Sequence, residues 1–125
     1  MDYTSEIREE ILRRGWFTEK QLATCEHNAN SIEKTEQPVV KLFNAIGGGT
    51  WYITEVDKDM YAFGMCHIFE AELGPVYLGE LLEADKHGQA MIQRDRYITL
   101  PKSWEGVRQQ IREHQGLDRL EEQYA

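Results

Sequence analysis

No apolar run in this chain approaches the ~20 residues that a membrane-spanning helix needs. Cysteine is scarce: Cys25 and Cys66 are the only two in 125 residues. Two are too few for a disulfide framework, and no charged-apolar-small leader pattern opens the chain, so a reducing cytoplasm is the expected compartment. Basic charge is also short, with 14 Lys and Arg against 22 Asp and Glu, a formal net charge of -8. A phosphate backbone is normally met by a basic face, so direct nucleic-acid binding is not expected. The acid excess is spread along the whole chain, which suits solubility, although an acidic surface can also imitate nucleic acid toward a basic protein. Internal repeats, low-complexity tracts and long linkers are absent as well.

What is present fits one α+β domain, long enough to bury roughly two-thirds of its unfolded surface. Residues 1–36 read as a helical N-terminal extension, 37–100 as a β-rich core and 101–125 as a C-terminal helical segment. Ile7, Ile11 and Leu12 recur at helical spacing, with glutamates early, Arg13 and Arg14 late and Gly15 following, so a first helix is expected over about residues 5–14. Thr18 and Gln21 fit a capping box, and Phe17 and Leu22 a hydrophobic staple, which starts a second helix at Glu19. Its apolar side uses Leu22, Cys25, Ala29 and Ile32. The connection Gly15-Trp16-Phe17 carries aromatic bulk toward the rest of the fold.

After Pro38 the period changes to that of strands. Residues 39–43, 50–56 and 60–66 read as an antiparallel meander, with Asp57-Lys58-Asp59 as the turn between the second and third. Gly74-Pro75 reads as a break before a short edge strand at 76–78, and residues 79–84 as a short helix. A last strand is expected within 90–100. Beyond Pro101, Trp104, Val107 and Ile111 share one face of a helix that should stop near Gly116. The expected architecture is a helical hairpin, a mainly antiparallel sheet of four or five strands and a C-terminal helix.

Gly47-Gly48-Gly49 raises the question of a phosphate-binding loop. Such a loop opens a helix, and the ATP type needs Lys and Ser or Thr directly after it. Here the glycines lead into Thr50-Trp-Tyr-Ile-Thr-Glu-Val56, which is strand-like, so a bend between antiparallel strands is the better reading.

A family resemblance is carried by Val39-Val-Lys-Leu-Phe-Asn44, Thr50-Trp-Tyr-Ile-Thr-Glu55, Phe63-Gly64, Glu72-Leu-Gly74, Leu78-Gly-Glu-Leu81 and Ile92-Gln-Arg-Asp95. In order and spacing these segments resemble domain-of-unknown-function family 2958 over about residues 37–100, with the terminal helices outside the match. Pro75 departs from the aromatic residue more usual after that glycine. The resemblance implies a compact α+β unit and a plasmid or phage setting. It brings no established catalytic residues.

Candidate sites are weighed against structural explanations. Cys25, His27, Cys66 and His67 offer zinc-type ligands, but their spacing points them to different faces of a helix and a strand, so no metal or other cofactor is expected. The same alternation separates Cys66 from His67 as nucleophile and base. Glu70, Glu72, Glu80, Glu83 and Asp85 form a carboxylate-rich stretch, read as a solvated or partner-contacting surface before a metal site. Arg94 and Arg96 should share one strand face and Asp95 the other, with Arg94 and Asp95 in an internal polar network. Trp51 and Tyr52 should divide between the sheet faces, leaving one exposed beside the glycine loop as a binding anchor.

The leading expectation is a non-enzymatic accessory or regulatory protein that binds another protein through Gly47, Gly48, Gly49, Trp51, Tyr52, Glu70 and Glu72. The partner would be a host or element-encoded nucleic-acid-binding protein, and self-association through Leu117, Leu120 and Tyr124 is a further option. The alternatives are an acidic, nucleic-acid-mimicking inhibitor of a host defence nuclease, and a small enzyme built on Cys66 or the Glu70 and Glu72 carboxylates.

Overall fold

The computed structural model describes the backbone of residues 3–124 and side chains as far as residue 115. The chain opens with α1 (Thr4–Arg13) and α2 (Glu19–Asn30). Gly15 follows the C-cap Arg14 with φ +72, the left-handed conformation that glycine adopts without a Cβ penalty. Its N–H bonds the Leu12 carbonyl, and the Trp16 N–H bonds the Ile11 carbonyl. That pair of bonds is a Schellman stop, and it delivers the Trp16 ring onto Ile11 in the core. Thr18 and Gln21 form the expected reciprocal capping box, and α2 starts at Glu19. Leu22 and Cys25 are buried on α2, whereas Ile32 lies beyond the end of the helix and is exposed. The apolar stripe of α2 is therefore shorter than its spacing suggested.

Five strands follow: β1 (Val40–Asn44), β2 (Thr50–Val56), β3 (Tyr61–His67), β4 (Ala71–Tyr77) and β5 (Ile92–Arg94). They form one antiparallel sheet in the order β4-β3-β2-β1-β5. The β2–β3 register shifts between Ile53 and Glu55, so Thr54 is bulged. Asn28 Nδ2 donates to the Thr54 carbonyl at 3.0 Å, tying α2 to the bulge. Asp57 Oδ1 accepts from the Asp59 and Tyr61 N–H groups and builds the β2–β3 turn.

Two expectations for the second half of the sheet are corrected. Gly74-Pro75 does not break the chain; both residues lie inside β4, which is seven residues long. Proline is tolerated there because β4 is an edge strand. The Leu78 N–H bonds the Met60 carbonyl, and the two-residue alternation of an antiparallel ladder then turns the Pro75 nitrogen away from β3. The last strand shrinks to three residues: the Asp95 N–H still bonds the Lys41 carbonyl of β1, and the Asp95 side chain then accepts from the Tyr97 N–H, a local turn that ends the ladder.

Between β4 and β5 lies α3 (Leu78–Lys86), and α4 (Trp104–Tyr124) closes the chain. Helix α4 runs through Gly116 instead of stopping there; one helical glycine costs only about 1 kcal/mol. The side chains of Leu117, Leu120 and Tyr124, expected to mediate self-association, lie outside the described residues. The larger apolar cluster joins α1, α2 and α3 to Val40, Leu42, Trp51, Ile53, Val56 and Ala62 on one sheet face. On the other face Tyr52 and Met65 pack against Val107 and Ile111 of α4.

Gly64 marks the tightest approach between strands. A Cβ there would sit 1.7 Å from the Tyr52 carbonyl oxygen and 3.0 Å from the Ile53 Cα, both backbone atoms with nowhere to go. Its cross-strand partner Gly74 has open space around it. Gly64→Ala is therefore expected to destabilise by about 3 kcal/mol. Gly74→Ala should stay within about 0.5 kcal/mol of the parent. Urea midpoints of the two variants check the contrast.

Candidate functional site

The glycine loop is a connection between β1 and β2, and Asn44 organises it. The Asn44 N–H donates to the Gly49 carbonyl at 3.0 Å and its side-chain Nδ2 to the Gly48 carbonyl at 3.3 Å. Its Oδ1 accepts from the N–H groups of Ile46 and Met91. Gly49 has φ +127, and a Cβ there would meet the Trp51 ring at 2.7 Å. The loop thus folds over Trp51 and fastens the start of β5. This geometry corrects the expectation of an exposed aromatic: Trp51 is 7% and Tyr52 1% exposed. Alternation sends them to opposite faces as expected, but both faces are covered at this point, one by the helical hairpin and one by α4. Gly47 and Gly48 are exposed without an aromatic anchor beside them.

Arg94 and Asp95 do not bond to each other. Arg94 turns toward α2, where its Nη1 donates to Gln21 Oε1 at 2.6 Å. Asp95 turns to the α4 face, where Oδ2 lies 3.6 Å from Lys41 Nζ and Oδ1 accepts from the Tyr97 N–H. Lys41 is buried, its ammonium 5.3 Å from the centroid of the Tyr52 ring. Burial pulls the Lys41 pKa down, opposed by the charge and hydrogen bond of Asp95. The Tyr52 hydroxyl donates to Gln110 Oε1 at 2.7 Å, and burial, with the Asp95 charge second, pushes its pKa up to about 12. This network fastens α4 and β5 to the middle of the sheet.

Cys66 packs against the larger cluster, while His67 on the opposite face lies 3.3 Å from Gln115 Nε2. Burial, and then the Glu72 charge opposite it, pushes the Cys66 thiol up. Cys25 is fully buried, and burial takes it to about 12. Both changes disfavour the thiolate that nucleophilic or metal-binding sulfur needs. Among the described residues no three of His, Cys, Asp and Glu gather as a metal set.

Glu70 and Glu72 are both exposed, Glu70 in the β3–β4 turn and Glu72 on β4 opposite Cys66. Sequence reasoning missed the apolar groups beside them. Phe69, at the hairpin tip, is 93% exposed. Along the α4 face of the same ribbon, Tyr61, Phe63 and Leu73 are all exposed, with Pro75 opposite Phe63. The spacing of Tyr61, Phe63 and Met65 did signal a shared face. Only Met65 lies under α4, however, and the rest of the strip is left open.

The fold and this surface define an α+β protein: a five-stranded antiparallel sheet with helices on both faces and an apolar strip at one edge. The chain belongs to the family described as "Protein of unknown function (DUF2958)", whose model matches residues 16–104. The match is wider than the resemblance at 37–100 and takes in Trp16, α2 and the start of α4. That extent has a physical basis, since Trp16, Phe17 and Leu22 share one core with the strands. No curated protein and no solved structure matches the chain. Among the described residues no helix is long and apolar enough to cross a membrane.

The thiols give a direct check on this site. At neutral pH both cysteines of the folded chain are expected to react with a thiol reagent at least about tenfold more slowly than in urea, because burial holds the protonated form. The rate at Cys66 should climb only as the pH passes the ordinary thiol range. Rapid, stoichiometric labelling of native Cys66 at pH 7 would contradict the assignment.

Proposed function

We propose that this chain is a non-enzymatic accessory protein that binds another protein through the β3–β4 ribbon. The observation that carries the reading is the open apolar strip of Tyr61, Phe63 and Leu73, with Phe69 at the hairpin tip. Single exposed apolar residues are ordinary, but a contiguous group of them beside a charged rim is typical of a protein-binding surface. Glu70, next to Phe69 at the hairpin tip, supplies acidic charge at the end of the strip, and the net charge of -8 favours an approaching partner of opposite sign. The partner segment is therefore one that pairs apolar anchors with Lys or Arg. Pro75 removes an outward N–H donor from the edge strand, which favours side-chain docking over addition of a sixth strand.

The plasmid or phage setting implied by the family resemblance fits a partner among host or element-encoded nucleic-acid-binding proteins, whose surfaces are basic. A nucleic-acid-mimicking inhibitor has less support. Such a mimic needs free carboxylates in a row, whereas Glu10, Glu26, Glu55, Asp85 and Asp95 all lie against cationic side chains. A Cys66 enzyme is disfavoured by the raised thiol pKa and by the position of His67 on the opposite face.

Selection of a displayed random-peptide library on the full chain tests the reading. The selected peptides are expected to place aromatic or aliphatic anchors next to Lys or Arg. Phe69→Ser combined with Leu73→Lys should weaken them roughly tenfold or more while circular dichroism stays unchanged. Light scattering of the same two proteins reveals whether a second copy covers the strip instead. Peptides that bind the double variant as tightly as the parent, or a dimer that depends on the strip, would defeat the proposal.

A further inference from the structure

The opposite edge of the sheet carries positive charge of a different kind. Arg94 and Arg96 leave β5 on the same side, toward the α1–α2 connection. In a chain with 22 acidic residues, neither guanidinium is within ion-pair distance of a carboxylate among the described residues. Asp95 between them is held on the far face by Lys41 and the Tyr97 N–H. Arg14, on the same wall, is already engaged by Glu10 and Asp85. Arg94 makes one side-chain bond, to Gln21, and its Nε is buried with no acceptor. The Arg96 Nη2 lies 3.0 Å from where a Cβ of Gly15 would stand, so the glycine that ends α1 also makes room for this guanidinium.

These groups line a cleft of about 420 Å³ whose wall also includes Phe43, Asp95 and Tyr97, the Asp95 carboxylate being turned to Lys41 and the Tyr97 N–H and away from both guanidiniums. Two adjacent cations without a counter-charge repel each other, and burial with Arg96 nearby lowers the Arg94 pKa. An oxyanion between them relieves that repulsion and accepts N–H donors that have no other partner.

We propose that Arg94 and Arg96, above the Gly15 turn, form a binding site for the phosphate group of a small phosphate monoester. Two guanidiniums match the charge of a phosphate dianion better than that of a single carboxylate. The cleft is larger than a bare phosphate, and the exposed Tyr97 in its wall offers a ring face for an organic portion. The affinity order is therefore an aromatic nucleoside monophosphate first, then ribose 5-phosphate, then inorganic phosphate, with acetate last. Binding should strengthen as the pH rises through about 6, where the phosphate takes its second charge.

Calorimetric titration of the full chain with these four compounds, at pH 5.5 and 7.5 (about 6 being the midpoint), tests the site. The expected result is saturable binding of the monoesters in the micromolar to low millimolar range, weakened about tenfold by Arg96→Gln. Arg96→Lys should retain part of the affinity, and because Arg96 is exposed neither change should disturb the fold. Arg94→Gln should act in the same direction, with its folding checked by circular dichroism because Arg94 also contacts the α2 cap. Absence of saturable heat from every phosphate compound up to about 10 mM, equal binding of acetate, or binding that Arg96→Gln leaves intact would overturn the assignment.

Discussion

The Trp16 side chain is the constraint on which the arrangement depends. Its indole N–H donates to the Ile92 carbonyl at 3.1 Å, while its ring is buried among residues from the helical hairpin and the sheet. A buried indole needs a hydrogen-bond partner, and here the partner is the backbone of the shortest strand. Gly15 sets the direction of the ring by ending α1 in a Schellman stop, and Asp85 adds a second clamp by accepting the Ile92 N–H at 2.8 Å while it also meets Arg14. Two side chains, one from the α1–α2 connection and one from α3, thus converge on one residue of β5, whose pairing with β1 covers only three residue pairs.

The two faces of the sheet are closed by different means. One is sealed by an apolar cluster drawn from three helices. The other has only α4, and beneath that helix sits a buried ammonium with its carboxylate and a phenol. A buried ion pair adds little net stability over apolar packing, but removing one member leaves an uncompensated charge. Lys41 and Asp95 therefore act as a positional lock between β1 and the segment after β5. The limited reach of α4 leaves the Tyr61–Phe63–Leu73 strip open.

Local chemistry was legible in the sequence wherever it was self-contained. Thr18 and Gln21, Gly15, Asp57 and the alternation of Arg94, Asp95 and Arg96 each carry their geometry within a few residues. The α+β plan, with a sheet of four or five strands, followed from those signals and from the change of period after Pro38. Misreadings arose where a tertiary neighbour decided the outcome. Pro75 looks like a break until β4 is known to be an outer strand. One of Trp51 and Tyr52 reads as an exposed anchor until the helical hairpin and α4 are known to cover both faces of the sheet. The open strip and the paired arginines were out of reach for the same reason, since the first depends on which strand residues α4 covers and the second on which carboxylates are already taken.

The short fifth strand has a kinetic consequence. The meander from β1 to β4 forms between neighbours in the chain, whereas Leu42 meets Arg94 only after a loop of some fifty residues closes (94 minus 42 gives 52). Loop-closure entropy must be overcome before those few contacts repay it, so β5 is expected to dock last during folding. By the same accounting it is the first segment expected to open in the native state, with amide exchange fastest at that margin of the sheet.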